Sequence, residues 1–206
     1  MSHLTISNPI DYSVDDFVLE FANMSAKELA LAFNELDDNL VDRAEMAVVE
    51  LFHQQNKKCA PSEIFELFLN TVYVVVENQE HYSACLTIAY IESGNLNHFV
   101  EEVKDAFEDE RFIQNYFYND IDRSFYNALP KVVEINRMIT NEEYENESFG
   151  VNWNIFQERT EAMSPKHFIT STQDDYAQIP VILSVFKKNI RTIITKNNKQ
   201  EVIYLH

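Results

Sequence analysis

Pro180-Val-Ile-Leu-Ser-Val-Phe-Lys-Lys-Asn-Ile-Arg-Thr-Ile-Ile194 is the stretch on which the fold class turns. Val181, Val185, Phe186 and Ile190 stand at intervals that place them on one helical stripe. The overlapping tail, Arg191 to Leu205, fits a terminal hairpin turning at Asn197-Asn198 equally well. Helix is expected for the first half and strand for the tail. The chain then reads as mainly all-α with a short C-terminal β-hairpin.

The rest of the sequence pulls the same way. Glycine occurs only at Gly94 and Gly150, whereas sheets and phosphate-binding loops use it for tight turns and close backbone approach. Helices are favoured, and Gly-rich cofactor loops are excluded. Ser13 with Asp16 and Ser25 with Glu28 have capping-box spacing, followed by apolar stripes through Phe17, Phe21 and Met24 and through Leu29, Ala32, Phe33 and Leu36. A third helix is predicted from Asp37-Asp38 to about Gln55. A fourth runs from Pro61-Ser62 through Val76, helical on length although Val72 to Val76 alone reads as strand. A fifth spans Gln79 to Glu92, and a sixth starts near Asn97. Shorter helical elements are predicted over Arg111–Tyr118, Ile121–Leu129 and Lys131–Met138. Thr140 with Glu143 suits another capping box, Val151–Met163 reads as a helix carrying Trp153, and Ser164-Pro165 suits a helix start. Such elements form an irregular antiparallel bundle or a superhelical stack of helix pairs, taken as one domain over residues 1–206.

At 206 residues with 46 % apolar content the chain can fill a sizeable core. Two cysteines, Cys59 and Cys85, make no disulfide framework and fit a reducing cytoplasm. The first ten residues have no basic region and no long apolar run, so neither a signal peptide nor a membrane span is expected.

Catalytic patterns are sparse. Glu50 and His53 share a helix face as di-iron ligands do, but no second Glu-x-x-His pair completes such a site. A glycine-flanked nucleophile elbow cannot be built from two glycines. Cys59 beside Lys57-Lys58, and the paired acids Asp120 with Asp122 and Asp174 with Asp175, are more simply a loop residue and chance neighbours. The aromatic run Phe112, Tyr116, Phe117, Tyr118, Phe125 and Tyr126 is expected in the core, with partner anchoring as the alternative. No catalytic residue, metal or cofactor is assigned.

The net charge of −18 is unevenly placed. Residues 1–110 hold 22 acidic and 5 basic residues, and residues 111–206 hold 12 and 11, so the first part accounts for −17 of the total. Direct binding to nucleic acid is disfavoured, because phosphates are repelled. Asp37, Asp38, Asp42 and Glu45, and then Glu101, Glu102, Asp105, Glu108 and Asp109, stack carboxylates at helical spacing, where like charges repel by a few tenths of a kcal/mol per pair. These nine residues form the candidate binding face for a basic protein.

In size, charge and helix content the chain resembles the acidic immunity proteins that bacteria pair with nuclease toxins, including those of contact-dependent growth inhibition, although no motif carries the likeness. The resemblance implies a cytoplasmic inhibitor that blocks a nuclease toxin or another nucleic-acid-binding enzyme. Two further readings share the composition: a phage DNA mimic that blocks a restriction or CRISPR enzyme, and a helical metal-dependent enzyme whose site is assembled from distant acids and histidines.

Overall fold

The computed structural model describes residues 12–145, 150–155, 178–197 and 199–205. Helices occupy the first part: α1 (Val14–Phe21), α2 (Ala26–Asn34), α3 (Asp38–Asn56), α4 (Ile64–Asn70), α5 (Val72–Val75), α6 (Gln79–Glu92), α7 (Val100–Glu108) and α8 (Asp120–Ala128). Both capping boxes are formed. The Ser13 and Ser25 side chains accept the N–H groups of Asp16 and Glu28, whose carboxylates return to the serine N–H groups at 2.9 Å. Each box satisfies donors that the first helical turn would otherwise leave open. The segment Val72 to Val76 is helical only as a single turn, separated from α4 by the break in backbone angles at Thr71.

The all-α expectation is overturned by a five-stranded antiparallel sheet. Its strands are β1 (Val132–Thr140), β2 (Asn152–Ile155), β3 (Gln178–Phe186), β4 (Ile190–Lys196) and β5 (Lys199–Tyr204), in the order β3-β1-β2-β5-β4. A short helix α9 (Asn141–Glu145) follows β1, started by the Thr140–Glu143 box. The physical reason for the error lies in the spacing. Val181 and Val185 are four apart, a distance that is a near-full turn of helix and also two full periods of strand. Both therefore fit either element, and pairing with β1 decides for strand. Lys131–Met138 and the described part of Val151–Met163, also expected as helices, supply β1 and β2 instead, with Val133, Ile135 and Trp153 alternating inward, while residues 156–163 lie outside the described ones. No helix covers Arg111–Tyr118 either. The hairpin near Asn197 exists, but its two strands belong to the larger sheet. Scarce glycine did not forbid it: Asn197 takes the left-handed conformation (φ 51°) at the β4–β5 turn, and a 3-10 turn at Lys187–Asn189 joins β3 to β4. The proposed start at Ser164-Pro165 lies outside the described residues.

Two compact units divide the chain: residues up to Phe99 with Asp105–Ile113, and Val100–Lys104 with Gln114 onward. In the first, α6 packs against α3, α4 and α5. Phe52, Phe65, Phe68 and Tyr82 are fully buried there, with Phe68 centred 5.6 Å from Tyr82. Burying each ring contributes about 2–3 kcal/mol. In the second, Val133, Ile135, Trp153, Val185, Ile190, Ile193 and Val202 form the sheet core. Phe117, Phe125, Tyr126 and Leu129, on α8 and its flanks, pack against it.

Candidate acidic interface

Helix α3 buries Leu40, Ala44, Ala47, Val48 and Leu51, which leaves Asp38 and Asp42 on its outer side, both exposed, with Asp37 exposed at the N-cap position. Asp37 and Asp38 lie where the helix dipole favours an acid. Glu45 does not belong with them. Its side chain is 6 % exposed and its two carboxylate oxygens accept the N–H groups of Glu77 and Asn78, at 3.0 and 3.1 Å. This carboxylate fixes the turn between α5 and α6, where Asn78 in turn caps α6 by accepting from Glu80 and His81.

Helix α7 buries Val103, Ala106 and Phe107 and exposes Glu101, Glu102, Asp105 and Glu108. Glu101 and Glu102 occupy the first turn, where they suit the dipole. Asp105 and Glu108 lie toward the negative end, and no basic residue stands in the last turn. Their placement opposes the dipole, at about 0.3–1 kcal/mol each when exposed.

Asp109 is different again. Arg111 donates to it through Nε and Nη2, at 2.9 and 2.7 Å, and both side chains are largely covered, 14 % and 17 % exposed. The same guanidinium donates to the Tyr73 and Val76 carbonyls and lies 4.5 Å from the centre of the Tyr82 ring. Hydrogen bonding to Asp109 holds the Arg111 pKa above its ordinary value. The pair closes the loop after α7, so the Asp109 charge is spent locally. Composition gave no signal for this; an arginine directly after the acid run Glu108-Asp109-Glu110 was the hint.

The other sequence candidates resolve simply. Glu50 is exposed and accepts from Gln54 at 3.0 Å, and His53 rests against Phe52. Among the described residues no group of three or more His, Cys, Asp or Glu side chains could hold a metal. Cys85 is buried, which pushes its thiol pKa up to about 12. Asp122 is fully buried, accepts from Asn119 Nδ2 at 2.8 Å and from the Thr195 hydroxyl and N–H, and so ties α8 to β4. Asp120 is exposed on the same helix, while Asp174 and Asp175 lie outside the described residues. Of the aromatic run, Phe112 is core, Phe117, Phe125 and Tyr126 pack on the sheet, and Tyr118 is half exposed.

A polar cluster that the sequence did not reveal surrounds Arg137. Its guanidinium donates to Glu143 at 2.7 Å and to Asn152, and a Cβ on Gly150 would lie 2.3 Å from Nη1. One of the chain's two glycines is thus where the backbone must pass under an arginine that is held from two sides.

Among the described residues no helix is long and apolar enough to cross a membrane. Of the nine candidate acids, seven are exposed, Asp37, Asp38 and Asp42 at α3 and Glu101, Glu102, Asp105 and Glu108 on α7, whereas Glu45 and Asp109 are not. The chain matches no family model, no curated protein and no solved structure.

Proposed function

We propose that the protein is a binding module whose acidic helices capture a basic protein, most naturally a nuclease toxin or another nucleic-acid-binding enzyme, as an immunity factor does. The reading is supported chiefly by Asp105 and Glu108. They are exposed, they sit where the helix dipole disfavours them, and the ion pairs among the described residues, Arg111 with Asp109 and Glu77 and Arg137 with Glu143, leave them out. Acids held against local helix energetics are consistent with selection for something outside the chain. Carboxylates so displayed raise the encounter rate with a positive groove. Such a factor would act in the cytoplasm, where a nuclease meets its substrate.

The test uses purified basic nuclease toxin domains, including any encoded beside this protein, with plasmid cleavage and association kinetics as readouts. The wild type is expected to inhibit one of them stoichiometrically. Asp105→Lys with Glu108→Lys should slow association about tenfold at low salt and flatten its salt dependence. The same change should stabilise α7 slightly, because lysine suits that end. Inhibition with rates untouched by the double reversal would remove α7 from the interface, and no inhibition of the neighbouring toxin would refute the function.

A further inference from the structure

Among the described residues strand β3 has a neighbour on one side only. All nine of its residues pair with β1 in unbroken register, from Val132 opposite Phe186 to Thr140 opposite Gln178. Just past this ladder the Lys187 N–H donates to the Lys131 carbonyl at 2.9 Å. Bonding alternates along an antiparallel pair, so Val181, Leu183 and Val185 share that inward row. Pro180, Ile182, Ser184 and Phe186 direct their backbone groups to the open side. Pro180 has no N–H and blunts the first of these positions, a common protection of edge strands. Ile182, Ser184 and Phe186 retain both groups, with no backbone partner among the described residues.

The side chains beside this open row are exposed as well. Ile182 and Phe186 are 52 % and 58 % exposed, and Val132, opposite Phe186, is 49 %. At the Phe186 end, Tyr126, Lys131, Phe186, Lys187 and Lys188 line a shallow depression of about 340 Å³. The Lys187 ammonium donates to the Asn127 and Leu129 carbonyls and lies 4.7 Å from the Tyr126 ring centre, and Lys188 lies 5.9 Å from that of Phe186. None of the three lysines has a carboxylate within ion-pair distance among the described residues. Glu134, opposite Ser184, lies on this face as well.

We propose that this edge takes up an extended, acidic segment of a partner protein as a sixth strand. Main-chain bonds to Ile182, Ser184 and Phe186 would hold it. Its alternate apolar side chains would lie beside Ile182 and Phe186, and its carboxylates at the end bearing Lys131, Lys187 and Lys188. Charge complementarity selects this occupant: the three lysines at the Phe186 end repel a basic segment and attract an acidic one. The surface differs in sign from the acidic helices and stands whether or not they bind a toxin.

The experiment uses the full chain and two synthetic ten-residue peptides that alternate valine and threonine, one ending in three aspartates and the other in three lysines. Binding is followed by calorimetry and by amide exchange. The aspartate peptide is expected to bind about tenfold or more tightly than the lysine peptide and to protect the amides of Ile182, Ser184 and Phe186. Ser184→Pro removes an outward N–H without removing a bond to β1, so binding should be lost with the circular dichroism unchanged. Should that variant misfold, Ile182→Lys provides the same test through the side-chain row. Equal binding of the two peptides, binding of neither, or a protein dimer that either variant dissociates would each overturn the proposal.

Discussion

Replacing Glu45 by alanine removes a carboxylate that holds two backbone N–H groups in a site only 6 % exposed. Hydrogen bonds to a charged group contribute about 1.5–3 kcal/mol each, and a buried donor left without a partner costs about 1–3 kcal/mol. The two bonds share one side chain and one turn, so they do not add fully, and a total near 3 kcal/mol is expected. Glu45→Gln keeps one acceptor and should lose about 1 kcal/mol. Asp42→Ala, three residues earlier and exposed, should stay within about 0.5 kcal/mol of the wild type. Urea unfolding followed by circular dichroism at the helical band would read these differences. With a slope of about 2 kcal/mol/M, Glu45→Ala should bring the midpoint down by about 1.5 M and leave the slope unchanged. If its midpoint instead coincides with that of Asp42→Ala, the carboxylate does not secure the turn before α6, and Glu45 returns to the exposed acidic face.

Asp122→Ala strips the buried acceptor shared by Asn119 and Thr195 and should destabilise the second unit by about 2–4 kcal/mol, seen as a lower melting temperature by Trp153 fluorescence; a shift under one degree would refute its role. Native protein treated with a thiol reagent should be modified at Cys59, while Cys85, buried with its pKa raised to about 12, reacts only in denaturant; mass spectrometry of the peptides decides. The pH dependence follows from the capping boxes. The Ser13 hydroxyl and N–H hold Asp16 below its ordinary pKa, and the Ser25 N–H and hydroxyl do the same for Glu28. Depressed carboxylates stabilise the fold above their unfolded values and lose that contribution as pH falls through the folded ones. Ser13→Ala with Ser25→Ala should therefore melt lower than the wild type at pH 7, and the gap should narrow as pH falls through the folded-state values below the ordinary carboxylate range, without closing, because the serine oxygens still accept the Asp16 and Glu28 N–H groups. A constant gap between the two would show that the boxes do not titrate with folding.

The helices of the first unit were legible because two independent signals agree there. Ser25 and Glu28 mark a start by local hydrogen bonding, and Leu29 and Ala32 mark a face by burial. For β1 and β3 the signals conflict: Val181 and Val185 satisfy both periods, and the pairing that chooses between them joins residues as distant as Val132 and Phe186. A rule based on glycine failed because Asn197 can occupy the left-handed region itself. The acidic site was half legible. Helical spacing places Asp38, Asp42, Asp105 and Glu108 outside, but it cannot tell that Glu45 turns inward to serve a loop 32 residues away, or that Arg111 claims Asp109. Those roles depend on tertiary neighbours that no local pattern encodes.

The near absence of glycine has a consequence for the unfolded chain. An average protein of this length carries about 14 glycines, and each alanine-like replacement at a compatible site narrows the denatured ensemble by about 0.4–1 kcal/mol. With two glycines in 206 residues, the denatured chain starts with less backbone freedom to surrender, by several kcal/mol on this scale. Part of what holds the native state together is therefore a property of the state it competes with. Glycine substitutions scattered over exposed helix positions should erode stability steadily without breaking a single contact.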